Sequence, residues 1–261
     1  MNPPRIRLIQ PSLVDGDIEG NLGKIVKNIA ASAGQADLLV FPETCISGFP
    51  TPANVQHLAE PADGSSISAI RAIAREVGVS VAIGFAEVDG SQYFNTALLI
   101  DADGEILLRY RKTCLYDSDQ DVFEPGNRFP ICDWHGIRVG LLICFDIEFP
   151  APSYRLARQG ADLIILVDGM MHPYGYMHRN AIPIRALDSQ AYIVMANRVG
   201  HGEHYQFSGE SHAADPFGKT IALGSSHSEA IIDVELDLTQ TERARVAAKR
   251  FISAGYRISN E

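Results

Sequence analysis

The chain has 261 residues, 46% hydrophobic and 21% charged, a balance that predicts a folded globular protein and excludes a disordered one. A formal net charge of −10, with no run of lysine and arginine, leaves no electrostatic footprint for DNA or RNA. Apolar runs such as GLLIC and LIILV are only strand-sized, so no membrane span is expected, and MNPPRIRLIQ carries no signal-peptide pattern. The expectation is a cytosolic protein forming one domain over residues 1–261.

In chain order, strand-like runs alternate with helical stretches. RIRLIQ at 5–10 leads into a helix over about 17–33, and ADLLVFP at 36–42 precedes a helix over 65–77. VSVAIGFAEV at 79–88 is the third strand; RVGLLIC at 138–144, ADLIILV at 161–167 and AYIVMAN at 191–197 follow, with helices over 151–159 and 176–190 between them. Near-continuous apolar strands are those covered on both faces, and their alternation with helices predicts a layered α/β fold.

The two halves of the chain resemble each other. ADLLVFPE at 36–43 echoes ADLIILVD at 161–168, each strand ending on a carboxylate. NTALLIDADGEIL at 95–107 echoes ESHAADPFGKTIA at 210–222, with Asp101 and Gly104 taking the places of Asp215 and Gly218 in two hairpin turns. Two α/β halves packed sheet to sheet would form a four-layer αββα sandwich with helices outside.

Active residues of α/β folds gather at the carboxyl ends of strands. Glu43 follows LLVFP, Lys112 ends EILLRYRK and Cys144 ends RVGLLIC. A thiolate is the reactive form of cysteine, an ammonium beside it favours that form, and a carboxylate can carry the proton. Each residue also has an ordinary reading: a packed inert thiol, a lysine on a strand edge, a glutamate capping the next segment. Four cysteines, at 45, 114, 132 and 144, show neither CxxC pairs nor the density of a disulfide scaffold, and are expected as thiols.

FPETCISGFP at 41–50, RYRKTCLYD at 109–117 and GLLICFDIEFP at 140–150, followed by GADLIILV and ANRVG, resemble in sequence and order the motifs of the nitrilase superfamily, the carbon–nitrogen hydrolases. The resemblance implies an αββα sandwich of duplicated halves, with Cys144 as nucleophile, Glu43 as general base and acid, and Lys112 as a cation for the oxyanion, helped by the backbone N–H of Phe145. Asp146 matches an acid usual in the family two residues after the nucleophile, while Glu148, Met170 and His172 are expected around the substrate. No metal or organic cofactor is implied. The partners expected are a small amide and, through an outer helical layer, a second copy of the chain.

Two positions depart from the family pattern. Asp119 stands where many members have a second glutamate; Asp121 and Glu124 are alternatives if the loop is aligned differently, and a solvated acidic turn is the ordinary reading. Ala151 stands where a glutamate often follows Phe-Pro. Phe145 and Asp146 replace the Trp-Glu common in nitrile-hydrolysing members, and Ile147 and Glu148 replace the arginines that hold N-carbamoyl amino acids. These differences favour an aliphatic amidase, with N-carbamoyl amine hydrolysis second and a noncatalytic scaffold third.

His201 and His204 in HGEH suggest a rival metal site, although glycines beside them argue for a loop rather than the helical i, i+4 pair metals prefer. His172 and His178 are expected at the mouth of a pocket or as ordinary polar residues. Glu148 either rims the pocket or pairs with Arg155 or Arg158 on the next helix.

Overall fold

A computed structural model describes residues 3–253. In the first half, β1 (Arg5–Gln10) leads to α1 (Ile18–Ala31), whose first turn is capped by the Asp17 carboxylate accepting from the Gly20 N–H at 2.9 Å. β2 (Leu38–Val40), the short α2 (Val55–Leu58) and α3 (Ser65–Val77) follow. Gly78 then ends α3 in the left-handed region at φ +68°, where a residue without Cβ is favoured. The half closes with β3 (Ser80–Asp89), β4 (Gln92–Ile100) and β5 (Ile106–Arg111).

The second half runs β6 (Ile131–Trp134), β7 (Ile137–Ile143), α4 (Pro150–Arg158), β8 (Leu163–Val167), α5 (Gly175–Ser189) and β9 (Tyr192–Ala196). A small hairpin, β10 (Val199–His201) and β11 (Gln206–Ser208), precedes β12 (His212–Ala214), β13 (Thr220–Leu223), β14 (Ala230–Glu235) and α6 (Thr239–Ser253).

Two six-stranded sheets result, ordered β14-β1-β2-β3-β4-β5 and β13-β12-β9-β8-β7-β6. They have one design. In each, three parallel strands (β1, β2, β3 and β7, β8, β9) continue into an antiparallel hairpin on one side and an antiparallel edge strand on the other. The sequence echo is therefore structural: β2 matches β8, and the β4–β5 turn matches the β12–β13 turn. Asp101 Oδ1 accepts from the N–H groups of Asp103 and Glu105, and Asp215 Oδ1 from those of Phe217 and Lys219. Gly104 and Gly218 sit at φ +78° and +77°, each against a helix carbonyl, that of Arg71 on α3 and that of Pro183 on α5.

Strand periodicity divides the first sheet between two cores. Leu8, Val40, Ala97 and Leu99 pack in one cluster with Leu141 and Ile165 of the second sheet, while Ile9, Leu39, Val81 and Ile83 pack against Ile25 and Ile29 of α1 and Ile67 and Ile70 of α3. The fold is the four-layer αββα sandwich. Two expectations change at strand ends. β2 stops at Val40, leaving Glu43 in the following loop, and Cys144 lies past β7 as the first residue of a 3-10 turn over Cys144–Glu148. The edge strands β6 and β14 are hard to read from sequence because β6 is only four residues long and β14 has a single buried residue, Val234, among half-buried and exposed ones.

Candidate active site

Three strand ends bring the acid, the lysine and the thiol together. The loop after β2 threads close to β3: Gly84 N–H donates to the Pro42 carbonyl at 3.1 Å, and the Gly84 carbonyl accepts from Cys45 N–H at 3.0 Å. A Cβ at Gly84 would lie 2.7 Å from the Cα of Glu43, so glycine is what lets the loop approach. Glu43 is fully buried. Its Oε1 accepts from Lys112 Nζ and from Asn95 Nδ2, both at 2.7 Å, while Oε2 has no hydrogen-bond partner in the protein.

Lys112 follows β5 and is also buried, its Nζ donating to Asp119 Oδ2 at 2.6 Å as well as to Glu43. Asp119 Oδ2 further accepts from the Tyr116 N–H at 3.1 Å. Asp119, one of the acids considered for this loop, thus meets the lysine directly, whereas Asp121 and Glu124 are exposed.

Cys144 has φ +42°, an unusual left-handed conformation for a residue with a side chain, at the turn that leaves β7. Asp146 pins this elbow. Its Oδ2 accepts from Ile143 N–H at 3.0 Å and from the Tyr110 hydroxyl at 2.7 Å, and its Oδ1 accepts from the Thr113 hydroxyl at 3.0 Å and Cys114 N–H at 2.9 Å. The nucleophile turn is thereby tied to the residues just after Lys112. Phe145 is the second residue of the turn, where a first-turn N–H has no partner within the turn itself.

A cavity of about 210 Å³ opens on these groups, bounded by Glu43, Lys112, Asp119, Cys144, Phe145 and Glu148 together with an apolar wall. Phe49, Tyr116, Tyr174, Tyr205, Met170, Met171 and Met177 form that wall. Asn197 of the ANRVG segment holds Met170 by donating to its carbonyl at 3.0 Å; Phe49 stacks on Phe207 at 5.4 Å, and Arg198, buried against Asp15, lies over the other ring of that pair. His172 is not among the cavity residues: its N–H donates to the Gln206 carbonyl at 2.8 Å and its ring stacks on His227 at 5.8 Å.

Two residues outside the expected catalytic set stand close to the thiol. Asp168, the second-half counterpart of the acid after β2, is fully buried, and its carbonyl accepts from the Glu43 N–H at 3.1 Å. Its carboxylate lies 3.0 Å from Nδ1 of His178, which is buried on α5 rather than at the pocket mouth. His178 Nε2 is 3.3 Å from Glu148 Oε1. Glu148 therefore pairs with neither Arg155 nor Arg158; it faces inward to the histidine and keeps part of its surface on the cavity. The carboxylate ending the repeat at Asp168 is a signal visible in sequence; the pairing with a histidine ten residues on is not.

Burial pushes the Glu43 carboxyl up to about 7, with Asp119 and Asp168 adding to the rise and Lys112 opposing it. Burial works against the Lys112 ammonium, but Asp119, Glu43 and Cys144 outweigh it and raise its pKa well above the ordinary value. The Cys144 thiol is pushed well up, by burial first and then by Glu43 and Asp168, more than Lys112 lowers it. Lys112 favours the thiolate, as expected, but burial and the two acids outweigh it, so the thiol keeps its proton until a base takes it.

Among the described residues, one group of side chains has metal-ligand spacing, Cys144, Asp168 and His178, whose donor atoms lie within 4.8 Å of one another. Asp168 and His178 already bond each other, so a cation there would have to break that contact. His201 and His204 are exposed on the β10–β11 hairpin and form no such group.

A buried acid, lysine and thiol at the strand ends of a duplicated αββα sandwich define a thiol-dependent hydrolase site. The carbon-nitrogen hydrolase profile matches residues 5–246, and the chain belongs to that family. It is 44% identical to an (R)-stereoselective amidase of a Pseudomonas species over 242 residues, 92% of this chain and 88% of that one. With a protein of Pyrococcus abyssi described as a nitrilase it shares 32% identity over 243 residues, covering 91% and 90% of the two chains. The fold superposes with a TM-score of 0.84, at 26% identity and with 96% and 97% coverage, on a mutant amidase from Nesterenkonia sp. AN1. That structure shows covalent addition of the acetamide moiety of fluoroacetamide at the active site cysteine. No helix among the described residues is long and apolar enough to cross a membrane.

Proposed function

We propose that this protein is an amidase that hydrolyses a small amide with a short aliphatic or otherwise apolar acyl group to a carboxylic acid and ammonia. The observation that carries the reading is the unpartnered Oε2 of Glu43, buried in the same cavity as Cys144 while Oε1 is held by Lys112 and Asn95. A carboxylate with one oxygen fixed and the other free is oriented to take and return a proton.

In the first half-reaction the Cys144 S–H proton passes to Glu43 as Sγ bonds to the amide carbonyl carbon. Glu43 then gives that proton to the departing nitrogen; the C–N bond breaks, ammonia leaves and a thioester remains. Water enters, its proton goes to Glu43, its oxygen bonds to the acyl carbon, and the C–S bond breaks as the proton returns to sulfur. A carboxyl group raised to about 7 suits both directions of this exchange near neutrality. Lys112 and the Phe145 N–H stabilise the negative oxygen of the tetrahedral species. Asp119 keeps Lys112 charged and aimed, and Asp146 holds the elbow.

The cavity volume of about 210 Å³ and its methionine and aromatic wall support a small apolar acyl group. The amidase relative from Pseudomonas and the Nesterenkonia cysteine adduct support amide chemistry at a cysteine. We also propose a homo-oligomer assembled through α4 and α5, whose outward face exposes Tyr154, Tyr176, Ile184 and Leu187, and a cytoplasmic location, consistent with Cys45, Cys114, Cys132 and Cys144 being free thiols. The function is tested by following ammonia release from neutral C2–C6 amides: turnover that disappears in Cys144→Ala supports it, and absence of turnover on the whole series with normal folding contradicts it.

A further inference from the structure

One buried assembly takes no part in the proposed reaction. Asp168, His178 and Glu148 form a row that runs from beneath the nucleophile to the cavity wall. Cys144 Sγ, a carboxylate oxygen of Asp168 and a ring nitrogen of His178 lie within 4.8 Å of one another. Both ring nitrogens of His178 meet carboxylates, Nδ1 at 3.0 Å from Asp168 and Nε2 at 3.3 Å from Glu148. Nδ1 hydrogen-bonds Asp168, and Nε2, although not aligned to hydrogen-bond Glu148, lies close enough for that carboxylate to favour the charged ring. Asp168 has no exposed surface, and a buried carboxylate needs such a counter-charge.

The charge matters to the first chemical step. When the thiol proton moves to Glu43, the electron pair left on sulfur gives it a negative charge beside Asp168. Two anions separated by under 5 Å in a site shielded from water repel strongly. A cation within the same 4.8 Å of both groups offsets that penalty.

We propose that His178 is a positioning residue for the reaction: as an imidazolium clamped between Asp168 and Glu148, it cancels the charge of Asp168 beside Cys144 and so permits transfer of the thiol proton to Glu43. The inference rests on the reading of Cys144 as nucleophile and Glu43 as base.

Burial opposes the imidazolium, but Asp168 and Glu148 outweigh it and push His178 up to about 9, so the charge persists across the neutral range. The remaining ionisable groups near α5 are engaged elsewhere or exposed. Arg179 pairs with Glu210 and Arg185 with Asp188; Asp146 in the elbow bonds Tyr110, Thr113 and Cys114. His212 on β12 contacts Thr220, Tyr192 on β9 donates to the Asp237 carbonyl, and Arg155 and Arg158 on α4 are exposed or partly so. Glu43 meets the assembly through its N–H bond to the Asp168 carbonyl and through repulsion between the two carboxylates, and Lys112 meets it through Cys144.

The test is the pH dependence of Cys144 alkylation by iodoacetamide, in which sulfur displaces iodide, with mass spectrometry locating the adduct. In His178→Gln the midpoint should rise by about one pH unit or more, because Asp168 is left uncompensated. In Asp168→Asn it should fall, and the double variant should return toward the wild type. General loosening of the site would move both single variants in the same direction, and that result overturns the proposal. kcat for a neutral amide should fall about tenfold or more in His178→Gln with KM little changed.

If His178→Gln does not fold, Glu148→Gln serves, since that side chain is 17% exposed. It removes one of the two carboxylates holding the imidazolium, so the alkaline fall of kcat/KM should move to lower pH; an unmoved fall overturns the proposal. Failure of the underlying reading looks different: wild-type protein would then keep full activity after Cys144 is alkylated.

Discussion

The backbone N–H of Glu43 donates to the carbonyl of Asp168 at 3.1 Å, so the acids that follow equivalent strands in the two halves meet at one point. Duplication thus builds the site as well as the sandwich. The two acids have diverged in partner: Glu43 is held by Lys112 and keeps one oxygen free, whereas Asp168 is bound to His178. Their proximity also has a titration consequence, since Asp168 is one of the charges that raise Glu43.

The rate should therefore fall on the acid side near neutrality. Glu43 must be a carboxylate to accept the thiol proton, and its pKa is raised to about 7, so kcat/KM is expected to drop as pH falls through about 7. A pH–rate profile with its acid limb near 4.5, the ordinary carboxyl value, would show that burial does not set this group. Lys112, raised well above its ordinary value of 10.5, should contribute no limb below that pH.

Glu43→Gln should keep the fold, because glutamine can still accept from Lys112 and Asn95 through its carbonyl oxygen. It cannot carry the proton. Loss of kcat by about two to four orders of magnitude is expected, measured as ammonia release alongside circular dichroism. A variant with activity close to that of the wild type would remove Glu43 from the chemistry.

Asp119→Asn should cost both stability and rate. The substitution deletes one of the two carboxylates on a lysine that is 1% exposed, a charge-assisted bond contributing about 2 to 3 kcal/mol. Thermal unfolding should show a Tm several degrees lower, and kcat should fall with KM largely retained, as for a group that aims an oxyanion donor. Unchanged Tm and kcat would return Asp119 to the role of an acidic surface turn.

Substrate charge follows from the lining of the cavity. Among the described cavity residues the sole cation is Lys112, already committed to Glu43 and Asp119, while Glu148 offers part of its surface to the space. A plain aliphatic amide should have a higher kcat/KM than an amide of equal length ending in a carboxylate, compared at low ionic strength. Preference for the carboxylate would require a cation brought in by movement of the cavity wall.

Much of this is legible in the chain because it lies in local patterns. Leu38 to Val40 and Leu163 to Val167 are apolar runs that announce buried parallel strands, and the Asp-x-x-Gly turns at 101–104 and 215–218 announce the duplicated hairpins. Glu43, Lys112 and Cys144 are visible as polar residues at strand ends. What stays hidden depends on distance across the fold. His178 reads as an ordinary helix residue until α5 packs it onto Asp168, and nothing at Glu148 signals that it turns to that histidine and away from Arg155 or Arg158 on the following helix. The balance at Cys144 is hidden for the same reason: a neighbouring lysine is apparent from motif order, whereas burial and a second acid near the sulfur are properties of the packed site.

The most direct test of the central claim is to quench the enzyme in acid during turnover of a good amide and to map the acylated peptide by mass spectrometry. Acyl transfer through sulfur predicts a mass increase equal to the acyl group in place of hydrogen on Cys144, larger when Glu43→Gln slows hydrolysis of the thioester more than its formation, and absent in Cys144→Ala. Steady turnover by Cys144→Ala, or an acyl group found on any other side chain, would contradict it.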